Sequence, residues 1–309
     1  MSELARVVIV GPGAMGRLHA ALLTQAGVDV ILLDYKPERA AELGERGIIL
    51  QFGERRQVVH VPVTVNADEA GPAEFVVLMV KGYATAEAAA GARAVAGEGT
   101  VWVTLQNGLG NVEQIMQAVG DVSVLAGVTT SGANIGDDGV VNVAAVGECQ
   151  VGPAAKASVE QAERFAALWC ASGLSCEVVA DPWPAIWRKL IVNAAINPVA
   201  ALAGRRNGEL MEISWLGRLA FAAARETYEV ALGCGIDFGE ELRPEELVAE
   251  VCRLTASNRC SMLQDLQASR RTEIDFINGQ VLRRARELGI RAPVCEALTA
   301  IIKAIEARE

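Results

Sequence analysis

Arg6-Val-Val-Ile-Val-Gly-Pro-Gly-Ala-Met-Gly-Arg-Leu-His-Ala-Ala-Leu-Leu-Thr-Gln25 decides the fold. After Arg6 come four β-branched residues in a row, the pattern of a parallel strand buried on both faces. Gly11, Gly13 and Gly16 follow at once in G-x-G-x-x-G spacing, and a helix-forming stretch runs from about Gly16 to Gln25, stopped by Gly27. Each glycine has a mechanical reason. Gly11 permits the tight turn, Gly13 lets the backbone approach a pyrophosphate, and Gly16 lets the helix pack on the strand. The helix N-terminus then offers N–H groups and a partial positive charge to phosphates. Pro12, Ala14 and Met15 complete this candidate cofactor turn.

Outward from this unit the same alternation repeats. Val30-Ile-Leu-Leu33 predicts a second strand, residues 37–46 a helix closed by Gly47, and residues 75–80 and 100–104 two more buried strands. Strands alternating with helical stretches imply crossover connections and a parallel sheet, a Rossmann-type α/β domain. Asp34 ends the second strand, about 20 residues beyond the glycines. A carboxylate there accepts hydrogen bonds from ribose hydroxyls and repels a 2′-phosphate, which favours NAD. Lys36 and Arg39 stand close by with the opposite chemistry.

Composition bounds the rest. The chain has 309 residues, 51% of them hydrophobic, so two domains are the natural division and disorder is excluded. A net charge of −10 argues against nucleic acid as a partner. The two histidines, His19 and His60, are too few for His-rich metal sites. The seven cysteines form no C-x-x-C pair and read as small core residues of a reduced, cytoplasmic protein. Residues 1–6 show no secretory layout. The longest apolar stretch, residues 190–203, is interrupted by Asn193, Asn197 and Pro198, which argues against a membrane span.

From about residue 181 helical periodicity replaces the strand pattern. Asp181-Pro182 is a good helix start, and residues 183–204 are mostly apolar. Lys189, Asn193 and Asn197 recur in steps of four, which places them on one helix face. Pro198 is expected to kink or break that helix and free a backbone carbonyl. Thr272 and Asp275 have the spacing of a capping box, which puts Glu273 in the first turn of a new helix.

Several stretches together carry a family resemblance over nearly the whole chain. They are Gly11-Pro-Gly-Ala-Met-Gly16, Val80-Lys81, Leu105-Gln-Asn-Gly108, Trp187-Arg-Lys-Leu-Ile-Val-Asn193, Asn197-Pro198, Ser261-Met-Leu-Gln-Asp265 and Arg271-Thr-Glu-Ile-Asp-Phe-Ile-Asn-Gly279. With them the sequence resembles the ketopantoate reductase (2-dehydropantoate 2-reductase) family. The resemblance implies a Rossmann dinucleotide-binding domain over residues 1–180, a helical substrate domain over residues 181–309, and an active site in the cleft between them. It implies Lys189 as the catalytic lysine, with Glu273 as the partner acid. Asn193, Asn197 and Ser261 become substrate-binding residues, Asn107 lies between cofactor and substrate, and Lys81 is a cofactor-side lysine.

The implied reaction is NAD(P)H-dependent reduction of ketopantoate to D-pantoate, a step toward pantothenate. The family form usually takes NADP through a basic residue after the second strand. Here that place reads Asp34-Tyr35-Lys36, which argues for NAD. Cys260 stands where a second serine is common beside Ser261. The nearer alternative is an NAD-dependent D-2-hydroxy acid dehydrogenase acting on another branched 2-oxo acid. The remoter one is a non-catalytic dinucleotide sensor, which would have no need of Lys189 and Glu273. A homodimer through the helical domain is compatible with the pattern. The expected partner is a small-molecule 2-oxo acid, and no metal is expected. Loops such as residues 132–142 are expected to contribute to substrate choice.

Overall fold

The structure is a computed structural model that describes residues 6–239 and 241–307. Residues 1–5, whose reading bears on a leader, lie outside the described residues. The chain divides into two compact units. Unit 1 comprises residues up to Gln106 and Asn111–Pro182. Unit 2 comprises Trp183 onward together with Asn107–Gly110.

Unit 1 opens with β1 (Arg6–Val10), α1 (Ala14–Gln25), β2 (Asp29–Leu33) and α2 (Pro37–Arg46). It continues with β3 (Ile48–Phe52), β4 (Arg55–Val59), β5 (Val63–Thr64), α3 (Ala67–Ala70), β6 (Ala73–Leu78), α4 (Thr85–Gly91) and β7 (Ala96–Thr104). It ends with α5 (Asn111–Val119), β8 (Ser123–Thr129), β9 (Gly132–Ile135), β10 (Val141–Ala145), β11 (Glu148–Ala155), α6 (Val159–Ala171) and β12 (Ser175–Val178). The main sheet has the order β12-β11-β8-β7-β6-β1-β2-β5. All its pairings are parallel except β8 with β11. The α/β expectation therefore holds. β1 lies between β2 and β6, so the chain leaves it toward opposite sides. Ligands of open parallel sheets bind at the carboxyl ends of strands at such a switch point.

A second sheet, β4-β3-β10-β9, was not legible in the sequence. It corrects the reading of residues 132–142 as a loop, because β9 and β10 form an antiparallel pair there. Helix α1 packs against both sheets, which explains why one helix buries two faces.

The core of unit 1 includes a chain of rings. His19 on α1 stacks on Trp169 at 4.8 Å, Trp169 meets Phe165 at 4.9 Å, and Phe165 meets Phe75 at 5.4 Å. His19 is fully buried, and its Nδ1–H donates to the Met15 carbonyl at 2.9 Å. Its Nε2 has no hydrogen-bond partner. Burial pushes the imidazole down to about 4, because a second proton would place a charge in the core. The unfolded chain therefore takes up this proton first as pH falls. Stability is expected to be level above the unfolded pKa and to drop by about 2 kcal/mol from about pH 7 to about pH 5. Urea denaturation at both pH values checks this. His19→Phe should lose that part of the slope.

Unit 2 carries α7 (Trp183–Ala203), α8 (Glu209–Glu212), α9 (Ser214–Gly233), α10 (Pro244–Leu254), α11 (Ser261–Gln267), α12 (Asn278–Leu288) and α13 (Pro293–Glu306). Helix α7 packs against α9, α10, α11 and α13. A helix apolar on nearly every side is one surrounded by others.

Pro198 does not break α7, contrary to the expectation from its chemistry alone. Proline removes the N–H that would reach the Ala194 carbonyl, four residues back. Asn278 supplies the missing donor: its Nδ2 reaches the Ala194 oxygen at 3.0 Å.

Two further readings need correction. The helix after Thr272 begins at Asn278, and residues 273–277 form a turn. The Thr272 hydroxyl accepts from the Ile274 N–H, while Asp275 pairs with Arg271 and Lys303, so no capping box forms. The Thr272 N–H goes instead to Glu306 on α13 at 2.7 Å. Of the cysteines, Cys149, Cys252, Cys260 and Cys295 are buried, but Cys170 and Cys234 are exposed. No disulfide joins any two of the seven.

Candidate functional site

The glycine turn joins β1 to α1 at the carboxyl end of the sheet. Gly11 sits at φ +106°, and a Cβ there would meet Val80. A Cβ on Gly16 would lie 1.9 Å from the Gly11 carbonyl oxygen, so helix and turn touch through backbone alone. At Gly13 the nearest atom to such a Cβ is the Met79 oxygen at 4.0 Å, which leaves that face of the turn open. Helix α1 has no side-chain cap and no acidic residue in its first turn. Pro12 is buried, while Ala14 and Met15 are half-buried. An open turn feeding an uncapped helix N-terminus fits a pyrophosphate.

Two residues that the sequence did not single out hold this edge. Arg17 is buried, and its Nε donates to the Pro12 carbonyl at 2.8 Å, bracing the turn from behind. Gln106 Nε2 donates to the Val80 carbonyl and to the Thr85 hydroxyl, each at 2.8 Å. This anchors the backbone next to Lys81, which is half-buried just beyond β6. A carbonyl partner 26 residues away has no periodic signature in the sequence.

Asp34 ends β2 as expected, but its side chain is fully buried. Its carboxylate accepts from the Tyr35 N–H at 2.6 Å, the Lys36 N–H at 3.0 Å, and Arg39 through both Nε and Nη2. Burial would raise the Asp34 pKa, but Arg39 and the two N–H donors outweigh it and hold the carboxyl below its usual range. Arg39 also lies 5.2 Å from the Tyr35 ring centroid.

In unit 2, Lys189, Asn193 and Asn197 occupy one unbroken helix. The first two are half-buried and Asn197 is buried. Four-residue steps keep all three along one side of it. Asn107 Nδ2 donates to Glu273 Oε2 at 3.4 Å, which joins two motifs 166 residues apart. The backbone fixes that approach. The Leu109 N–H donates to the Phe276 carbonyl at 3.0 Å, and a Cβ on Gly108 would lie 2.1 Å from the same oxygen.

Ser261 is exposed at the first position of α11. Cys260 before it takes the N-cap role of a serine: its Sγ accepts from the Leu263 N–H at 3.4 Å. The same Sγ donates to the Asn197 carbonyl at 3.5 Å. Burial pushes the Cys260 thiol up to about 11, so it stays protonated and can donate. Among the described residues no group of three or more His, Cys, Asp or Glu could hold a metal ion. Among the same residues no helix is long and apolar enough to cross a membrane.

Known proteins match this arrangement along its length. The family model for ketopantoate reductase PanE/ApbA matches residues 7–156, and that for its C-terminal part matches residues 181–306. A 2-dehydropantoate 2-reductase of Halobacterium salinarum is 35% identical, over 96% of this chain and 98% of the relative. The crystal structure of a 2-dehydropantoate 2-reductase from Geobacter metallireducens superposes with a TM-score of 0.89 at 26% identity, covering 97% of this chain and 99% of that one. D-mandelate dehydrogenase, solved with NADH and anilino(oxo)acetate, shares the fold with a TM-score of 0.90 at 24% identity, over 98% of each chain. Two family models matched in chain order over most of the sequence, with a relative 35% identical along nearly its whole length, leave one conclusion: the chain belongs to the ketopantoate reductase family.

Proposed function

We propose that this protein reduces 2-dehydropantoate to D-pantoate with NAD(P)H. In this reading unit 1 is the dinucleotide-binding domain and unit 2 the substrate domain. The observation that carries it is the unbroken α7 face of Lys189, Asn193 and Asn197. When bound, the nicotinamide supplies the hydride. The residues of unit 1 that would hold the dinucleotide are the Gly11–Gly16 turn, through its N–H groups, and Lys81.

Reduction of a ketone leaves negative charge on its oxygen. The Lys189 ammonium stabilises that charge and donates the proton. The amides of Asn193 and Asn197 and the Ser261 hydroxyl bind the substrate's carboxylate and hydroxyl. Glu273 favours the charged form of Lys189 and, with Asn107, orients the reacting groups.

We infer a preference for NADH. A 2′-phosphate near the end of β2 would meet an ionised, buried carboxylate, and Arg39 is already committed to that carboxylate. Seven cysteines with no disulfide between them support a reduced, cytoplasmic setting.

Steady-state kinetics with ketopantoate, ketoisocaproate and phenylpyruvate, each with NADH and NADPH, test the whole reading. The expected result is highest kcat/KM with ketopantoate and NADH. A clear preference for either other acid would instead assign the chain to the D-2-hydroxy acid dehydrogenases. Asp34→Ala, which releases Arg39, is expected to shift the NADPH-to-NADH ratio of kcat/KM upward by about tenfold. An unchanged ratio would remove Asp34 from cofactor choice.

A further inference from the structure

Asn278 is fully buried at the first position of α12, five residues after Glu273. Its amide does not serve its own helix. It donates across unit 2 to the Ala194 carbonyl on α7. That carbonyl has lost its helical donor because residue 198 is proline. Ala194 directly follows Asn193 and lies three residues before Asn197. Asn278 therefore grips α7 at the height of its polar face, between Asn193 and Asn197, where Pro198 leaves an acceptor open.

The other end of the Asn278 segment is fixed as well. Phe276 N–H and Ile277 N–H both donate to the Glu273 carbonyl, and Gly279 N–H donates to the Ile274 carbonyl. Phe276 in turn accepts from Leu109, next to the Gly108 contact that holds Asn107 near Glu273. The turn carrying Glu273 is thus rigid between two anchors, residues 108–109 on one side and the Ala194 carbonyl on the other.

We propose that Asn278 is a positioning residue that sets the Glu273 turn in register with the Lys189, Asn193 and Asn197 face, using the carbonyl that Pro198 leaves open. The proposal rests on the reading of that face as the substrate site. Asn278 touches neither substrate nor cofactor in this role. Proline and asparagine form a complementary pair, since a helix without Pro198 would satisfy Ala194 by itself and would give Asn278 nothing to hold.

The test is a double-mutant cycle of Asn278→Ala and Pro198→Ala, read by kcat, by KM for the 2-oxo acid and for the dinucleotide, and by Tm. Asn278→Ala alone is expected to lower kcat/KM for the oxo acid by about tenfold, with KM for the dinucleotide unchanged. In the Pro198→Ala background the restored N–H takes the carbonyl and the grip is already lost, so kcat/KM is expected to be lowered about tenfold by Pro198→Ala alone and Asn278→Ala to cost less than about threefold more. An equal cost in both backgrounds overturns the proposal, as does a lowered Tm with unchanged kinetics. If Asn278→Ala alone does not fold, Pro198→Ala decides: kcat/KM lowered with Tm and the dinucleotide KM near native supports the proposal, and native kcat/KM overturns it. Failure of the underlying site reading shows separately, as turnover retained by Lys189→Ala.

Discussion

Replacing Lys189 with alanine is expected to lower kcat/KM for the 2-oxo acid by about 10³-fold while leaving dinucleotide affinity near its native value. The size follows from two losses at once. On the proposed role, the ammonium that would neutralise the developing alkoxide is gone, and so is the acid that would protonate it. On the same reading the dinucleotide is spared, because the glycine turn proposed to hold it belongs to unit 1 and Lys189 belongs to α7. Lys189→Arg should not restore turnover, since a guanidinium keeps its proton under these conditions. Stopped-flow binding of NADH, together with steady-state turnover, separates the two quantities. Turnover near the native level in Lys189→Ala would reject Lys189 as the proton donor.

Gly108→Ala is the second change with a large expected effect. Gly108 has φ +81°, and a Cβ there would meet the Phe276 carbonyl oxygen at 2.1 Å and its carbon at 2.7 Å. The obstacle is backbone, which is itself pinned by the Leu109 N–H. Relief requires residues 107–110 to move away from residues 273–276, which breaks the Asn107–Glu273 approach. The expected outcome is a loss of about 10² in kcat/KM and a clearly lowered Tm.

Gly27→Ala provides a matched control. Gly27 also has φ +81°, but nothing lies within 4 Å of its Cβ position. It should cost only the conformational penalty of about 1–2 kcal/mol, with native turnover. Equal effects of the two substitutions would show that backbone conformation, and not the Phe276 contact, governs position 108.

Much of this molecule can be traced to local pattern. Residues 7–10 are buried on both faces of a sheet, so they had to be apolar and β-branched. The glycine spacing is dictated by a helix that touches a turn: a Cβ on Gly16 would run into the Gly11 carbonyl oxygen. The α7 face is readable because helix geometry converts four-residue steps into neighbours. These features depend only on residues close in sequence.

Other features were beyond such reasoning. The pairing of β3 with β10 joins residues about 90 apart, and no pattern within either strand names the other. Asp34 occurs where a ribose-binding acid is expected, yet its oxygens are taken by Arg39 and two N–H groups. The capping-box spacing at Thr272 was present, but Glu306 and Lys303 on α13 claimed the groups that would have closed it. At Asp34 the competing partners lie one, two and five residues on, whereas at residues 272–275 they lie on α13, 34 and 28 residues on.

The sequence by itself determined the parallel sheet, the glycine turn between β1 and α1, the helical second half and the polar side chains on α7. Periodicity and short spacings report burial and backbone conformation, which are local properties. Only the tertiary structure decided that α7 passes through Pro198 intact, that Asn278 fills the gap Pro198 leaves, and that Asn107 meets Glu273. A buried carbonyl or amide must find a hydrogen-bond partner, but which one it finds depends on how the chain packs.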